Sequence, residues 1–318
     1  MDILNFEKHH IEEATALALA NYHEEQKYVK ELPEVCSIPD LEGFAENERG
    51  VAAFEDKKMI GFLCCSEPFD NAFRATDAKG IFSPMGANAA VSENRDKIYA
   101  AMYQAAGKKW VQSGAVSHAI CLYAHDETLQ RQFYRYGFGM RCLDAIRPME
   151  LIDCRPCADY VFTEVPSSEW HLIYPLHFAL NCHYCESPFF MNRKLETQEA
   201  FITSSVQEGG RYFVAKHHKE LCAFLKISGS GETFAATGQT YRHIRGAYCL
   251  PEHRGKDVSQ NLLNTVISTL QKEGCTRLGV NFESFNPTAR GFWLKYFTAY
   301  THSVVRRIDE RIIQRITL

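Results

Sequence analysis

The chain has 318 residues, 46% of them apolar, with 35 basic and 39 acidic side chains and a formal charge of -4. That length predicts two domains of about 150 residues with a core apiece. The acidic balance excludes a broad phosphate-reading surface and so predicts no nucleic-acid partner. No apolar run reaches the ~18 residues of a membrane span, and the opening MDILNFEKHHIEEAT has no apolar signal core, so a cytoplasmic protein with no membrane partner is expected.

In chain order, EEATALALANYHEEQKY predicts a first helix, and RGVAAFEDKKMIGFLCC (49–65) a strand, a charged turn and a strand. GIFSPMGANAAVSENRDKIYAAMYQAAG (80–107) predicts a strand, small residues around Gly86, and a helix capped by Ser92 with Arg95 in its first turn. LYAHDETLQRQFYRYGF (122–138) then leads to a terminal strand. LIDCRPCADY (151–160) reads as a linker, dividing the chain into 1–153 and 158–318. Beyond it come two helices, in WHLIYPLHFALNC and TQEAFITSSVQ, and GRYFVAKHHKELCAFLKI (210–227) repeats the strand–turn–strand shape. Arg49 and Arg211, like Phe62 and Phe224, lie 162 residues apart; Phe133 and Trp293 lie 160 apart. A period near 160 is a duplicated domain. A strand ending in IRGAYCL follows. Val258, Leu262, Val266, Ile267 and Leu270 then mark the buried face of a helix, and RLGVNF alternates as a strand. Asn286-Pro287 opens a last helix. The expected class is α/β: two tandem domains, each a twisted mixed sheet flanked by helices.

Cys154/Cys157 and Cys182/Cys185 form two CxxC pairs among twelve cysteines, but 24 residues reading as strand and helix separate them. A zinc ribbon places short turns there. Reduced core cysteines and no metal are expected.

The chemical signal lies in GAYCLPEHRGKDVSQ. A strand ends at Leu250-Pro251, a basic turn follows, and a helix opens with its free N–H groups facing Arg254, Gly255 and Lys256. Such a helix start holds anions. Cys249-Leu250-Pro251, Arg254-Gly255-Lys256-Asp257-Val258-Ser259, and downstream Asn286-Pro287-Thr288-Ala289 with Phe292-Trp293 and Lys295, resemble the GNAT (Gcn5-related N-acetyltransferase) superfamily. The resemblance covers nearly all of 160–318; residues 1–153 look like a divergent second copy, as in bacterial tandem-GNAT proteins.

The resemblance implies an acetyl-CoA site. The strand ending at Cys249-Leu250 would meet the pantetheine arm, with an oxyanion donor near Leu250. Backbone N–H groups of Gly255, Lys256, Asp257, Val258 and Ser259, with Arg254, would hold the pyrophosphate. Asn286 and Trp293 would complete the cofactor side. Direct attack by a primary amine of a small molecule or peptide would need a base. Glu283, on the polar side of RLGVNFE, is expected in that role, with His183 next; His177, His243 and His253 are nearby. The chain departs from the family in two places. Asp257 replaces a glycine, and is expected to cap the helix and turn its carboxylate away. Trp293 and, in the first half, Phe133 stand where the family often has a tyrosine, with Tyr296 and Tyr134 expected on other helix faces. An inactive binding or regulatory protein is therefore the alternative to an enzyme, as a monomer or homodimer.

Overall fold

Two hairpins show the duplication in the backbone. Asp56-Lys57 and His218-Lys219 each occupy left-handed conformations in succession (φ 49° and 67°; 47° and 73°). That is the two-residue turn whose twist matches flanking antiparallel strands, and the two copies are 162 residues apart. The computed structural model describes residues 1–74 and 76–316. The first half runs β1 (Asp2–Asn5), α1 (Ile11–Tyr28), α2 (Glu42–Glu46), β2 (Val51–Glu55), β3 (Lys58–Leu63), β4 (Gly80–Ser83) and β5 (Asn88–Ala90), then α3 (Arg95–Gln112), β6 (Ser117–Tyr123), α4 (Glu127–Arg135) and β7 (Gly139–Pro148). The second half runs β8 (Tyr160–Val165), α5 (Tyr174–Cys185), α6 (Gln198–Gln207), β9 (Arg211–His217), β10 (Glu220–Ser228) and β11 (Tyr241–Cys249), then α7 (Val258–Lys272), β12 (Arg277–Glu283), α8 (Pro287–Tyr296), β13 (Thr298–Arg307) and α9 (Ile313–Ile316).

The strands form a four-stranded sheet, β1-β2-β3-β5, and a nine-stranded sheet, β4-β6-β13-β7-β12-β11-β10-β9-β8. The order of the larger sheet crosses the halves. β13, the last strand of the second half, pairs with β6 of the first, and β7 of the first half pairs with β12 of the second. β7 and β13 pair with each other at the centre. Each half therefore completes the other's sheet.

In the second half, α7 buries Val258, Leu262, Val266, Ile267 and Leu270, the stripe predicted from spacing, against Phe213, Leu225, Leu278 and Val280. The opposite face of the central strands packs Tyr241 and Tyr300 against Tyr22 and the segment Ala235-Ala236. The linker is strapped to α7: Asn264 exchanges two 2.8 Å hydrogen bonds with the backbone of Ile152, and Asn261 donates to the Arg155 carbonyl at 2.8 Å.

Candidate functional site

β11 and β12 run parallel and pair only from Tyr241–Ile244 against Arg277–Val280. Past Ile244 β11 continues beside β10, while β12 continues beside β7. The two strands splay, and the opening is walled by the start of α7 and by α8. A cavity of about 420 Å³ fills it.

The backbone of β11 is sorted by this split. The Leu250 N–H donates to the Cys222 carbonyl at 2.9 Å, so it faces β10 rather than the opening. By the alternation of an antiparallel pair, Cys249 and Ala247 turn their backbone groups to the opening. The Cys249 carbonyl accepts from Arg254 Nε at 2.9 Å, which confirms its direction. Backbone groups that face the opening are therefore those of Cys249 and Ala247 rather than of Leu250.

At the turn, Gly255 (φ 72°) and Asp257 (φ 57°) are both left-handed. Asp257 occupies the cap position of α7, yet its side chain makes no capping bond. Its carboxylate accepts instead from Arg155 Nε at 2.8 Å, across the linker. This corrects the expected cap. The carboxylate does point away from the opening, but an αL backbone at the cap carries the side chain off the helix axis. That backbone also explains the family glycine, because αL is the conformation glycine adopts without steric cost. In the first half Asn94 (φ 52°) caps α3 in the same conformation, 163 residues earlier, and Ser92, the predicted cap, stands outside the helix.

Of the ten residues expected to meet the cofactor, Cys249, Arg254, Gly255, Val258, Ser259, Asn286 and Trp293 line the cavity. Leu250, Lys256, Asp257 and Glu283 are outside its lining. Lys256 is exposed, and its carbonyl accepts from the Cys157 thiol at 3.0 Å. Asn286 caps α8, its Oδ1 accepting from the Ala289 N–H at 3.0 Å. Asp126 does the same for α4 through Leu129.

Tyr296 also lines the cavity, three residues after Trp293, with its ring 5.2 Å from that of Phe292. Positions three and four apart share a helix face, so the expectation that Tyr296 turns elsewhere is corrected. Asn281, Tyr184 and Tyr248 were missed. Asn281 was legible as the outward residue of RLGVNF; the other two become neighbours only through folding.

Glu283 is held by Arg141. Nε donates to Oε2 at 2.6 Å and the terminal nitrogen to Oε1 at 3.2 Å. Both carboxylate oxygens are thus engaged by a guanidinium from the other half of the chain. His183 lines the cavity against Phe189 and Tyr248. Burial, together with the nearby Arg254 charge, pulls its pKa below the usual histidine value, leaving a neutral imidazole at pH 7. His243 is buried between the Tyr241 hydroxyl (2.7 Å to Nδ1) and Asn281 Oδ1 (3.0 Å to Nε2), and burial lowers its pKa to about 4. His253 Nδ1 pairs with the Tyr160 hydroxyl at 2.9 Å. His177 Nε2 lies against the Asn181 side-chain amide.

In the first half the corresponding turn and gap are crossed by side-chain bonds. Arg95, at the start of α3, bonds Glu24 at 2.6 Å and Asp126 at 3.1 Å, with its side chain 9% exposed. Asn88 bonds Ser83, the Cys121 carbonyl and the Tyr99 hydroxyl in the gap after β4. The CxxC cysteines lie beside α7 and on α5, and the described residues contain no group of three or more His, Cys, Asp or Glu arranged to hold a metal.

Residues 178–297 match the Acetyltransferase (GNAT) family. No curated protein matches the chain. Among solved structures, a GCN5-related N-acetyltransferase from Sphaerobacter thermophilus has a TM-score of 0.58 at 11% identity, covering 96% of this chain and 95% of that one. A GCN5-related glucosamine N-acetyltransferase region of a fungal multi-domain GH3 beta-N-acetylglucosaminidase has a TM-score of 0.50 at 11% identity, covering 96% of this chain and 38% of that one. A tandem GNAT protein from the clavulanic acid biosynthesis pathway aligns over 96% of this chain and 98% of its own, with a TM-score of 0.47 at 11% identity.

Proposed function

We propose that the chain is a member of the GNAT superfamily, whose family model matches residues 178–297, and, from that premise, that it is an acetyl-CoA-dependent N-acetyltransferase whose working site is in the second half. One observation carries the reading. The splay of β11 from β12 and the N-terminus of α7 open onto a single cavity lined by Cys249, Arg254, Gly255 and Ser259. A thioester arm needs an extended slot with free backbone groups, and its pyrophosphate needs unpaired N–H groups and a cation. Cys249 and Ala247 supply the first. The start of α7, with Arg254, supplies the second. Arg254 would leave the Cys249 carbonyl to meet the phosphates.

Direct attack requires an unprotonated amine; as the C–N bond forms, negative charge develops on the carbonyl oxygen, which the Cys249 or Ala247 N–H would meet, and collapse breaks the C–S bond and releases the CoA thiolate while the amine proton passes to the base. His183 is the base we favour. It is uncharged at pH 7 and lines the cavity, whereas Glu283 is engaged at both oxygens by Arg141 and is outside the lining. In this reading Glu283 fixes Arg141 and joins the two halves. A cytoplasmic location is part of the same proposal; among the described residues no helix is long and apolar enough to cross a membrane.

Calorimetry with CoA on the intact protein and on Arg254→Glu tests the site. A loss of about tenfold or more in affinity is expected, because a charge-assisted phosphate contact is replaced by repulsion. Equal affinity in the two proteins would sink the assignment. CoA binding with no thiol release across polyamines, aminoglycosides, amino acids and peptides would instead favour a binding protein that retains the fold.

A further inference from the structure

A second cavity, of about 360 Å³, lies where β7 and β13 meet the loops of both halves. Its wall is apolar over most of its area, with Phe44, Phe73, Phe82, Met85 and Phe234 in the lining. Two acids break the pattern, Asp144 on β7 and Glu232 on the segment before β11. Asp144 is 5% exposed. Its Oδ2 accepts from the Thr301 hydroxyl at 2.6 Å, and its Oδ1 has no hydrogen-bond partner. Arg141, the cation in the lining, is already bonded to Glu283 and to the Phe73 carbonyl. A buried carboxylate with one donor lacks the pairing that burial of charge demands. A cation carried in by a ligand would supply it.

The cavity also has a position relative to the first one. Asp144 and Asn281 are register partners on adjacent strands, and Asn281 lines the β11–β12 opening. Side chains so paired stand on one face of the sheet, with Cβ atoms about 5 Å apart. The two cavities thus meet at this pair.

We propose that the second cavity binds the acceptor, and that the acceptor is a small amine with an apolar body: its ammonium on Asp144 and Glu232, its hydrocarbon or ring among Phe73, Phe82, Met85 and Phe234. This rests on the acetyltransferase reading for the word acceptor, but the binding itself needs no cofactor. Burial, with Glu232 nearby, raises the Asp144 pKa to about 6.

The test is calorimetry without CoA, using 2-phenylethylamine, its neutral analogue 2-phenylethanol, and ethanolamine as a polar amine. 2-Phenylethylamine is expected to bind at least tenfold tighter than either of the others. Asp144→Asn should weaken it about tenfold or more while CoA affinity stays within twofold. Glu232→Gln, an exposed change that cannot unfold the protein, should weaken it about two- to fivefold. Equal binding of amine and alcohol, binding unchanged in both variants, or no binding of the amine at millimolar concentration would each overturn the proposal. Failure of the cofactor reading appears separately, as loss of CoA binding with the amine result intact.

Discussion

At the scale of single residues, Asp257 sits in a conformation that suits glycine and pairs with an Arg155 side chain that is 83% exposed. An exposed pair contributes little, and relief of an αL non-glycine residue offsets its loss. Asp257→Gly is therefore expected to melt within about 1 kcal/mol of wild type and to bind CoA as well or more tightly, since one negative charge leaves the turn. A large loss of affinity would mean that the side chain helps to hold the ligand. Buried titratable groups set a second expectation. His118 and His243 have folded pKa values of about 4, lowered by burial from 6.5. Between those values the unfolded chain binds the protons, so stability is lost as pH falls from 6.5 toward 4, by up to ~3 kcal/mol for each histidine. Asp144 acts in the opposite sense: raised from 3.8 to about 6, it binds its proton first in the folded state and stabilises as pH falls. Urea unfolding should show a net loss of stability from pH 7 to 5, and a steeper one in Asp144→Asn. A shallower fall in that variant would refute the sign. For the base, His183→Gln is expected to lower turnover ~100-fold at unchanged CoA affinity. If turnover holds in that protein and falls in Glu283→Gln, the proton goes to the carboxylate.

At the scale of elements, α7 has two functions that separate along its length. Its first turn faces the cavity, and its apolar stripe anchors the second-half core, where Leu262, Val266 and Ile267 are at most 1% exposed. Leu262→Ala removes packed volume from a site that cannot collapse around it, and a loss of about 2–5 kcal/mol in urea unfolding is expected. A smaller effect than 1 kcal/mol would show that α7 packs loosely. The exchanged strands carry a stronger consequence. A fragment of residues 158–318 lacks β7, which leaves β12 with an open edge and β13 without either of its partners. Open, apolar edges pair with other chains. Expressed alone, the fragment is expected to aggregate; expressed with 1–153, it should form a soluble one-to-one complex. A soluble monomeric fragment with a cooperative melt would contradict the role assigned to the exchange.

At the scale of the molecule, the two halves are built alike and finished differently. Both have the I′-type hairpin, the left-handed cap before the first long helix after the splay, and an Asx cap on the helix that follows. In the second half the start of α7 opens onto a cavity; in the first, Asn88 and Tyr99 bond to each other in the gap and Arg95, at the start of α3, is paired to two carboxylates. Calorimetric titration of the intact chain should therefore give one CoA per chain. Two equivalent sites would show that the first half opens.

The sequence by itself determined the class of fold, the duplication and the place of the basic turn before α7. Local physics suffices for these: helical and strand periodicities, turn residues, and a basic loop before a helix are all written within a few tens of residues. It also placed seven of the ten residues expected to meet the cofactor on the cavity wall, because the end of β11 and the starts of α7 and α8 face the splay. What only the tertiary structure decided is how distant residues meet. Arg141 and Glu283 are 142 residues apart and Asp144 and Thr301 157 apart; no local pattern pairs them. They meet because each half lends its last strand to the other, and strand order is a choice among whole-sheet arrangements. For the same reason the sequence shows neither the Arg141 partner of Glu283 nor the unmatched buried oxygen of Asp144.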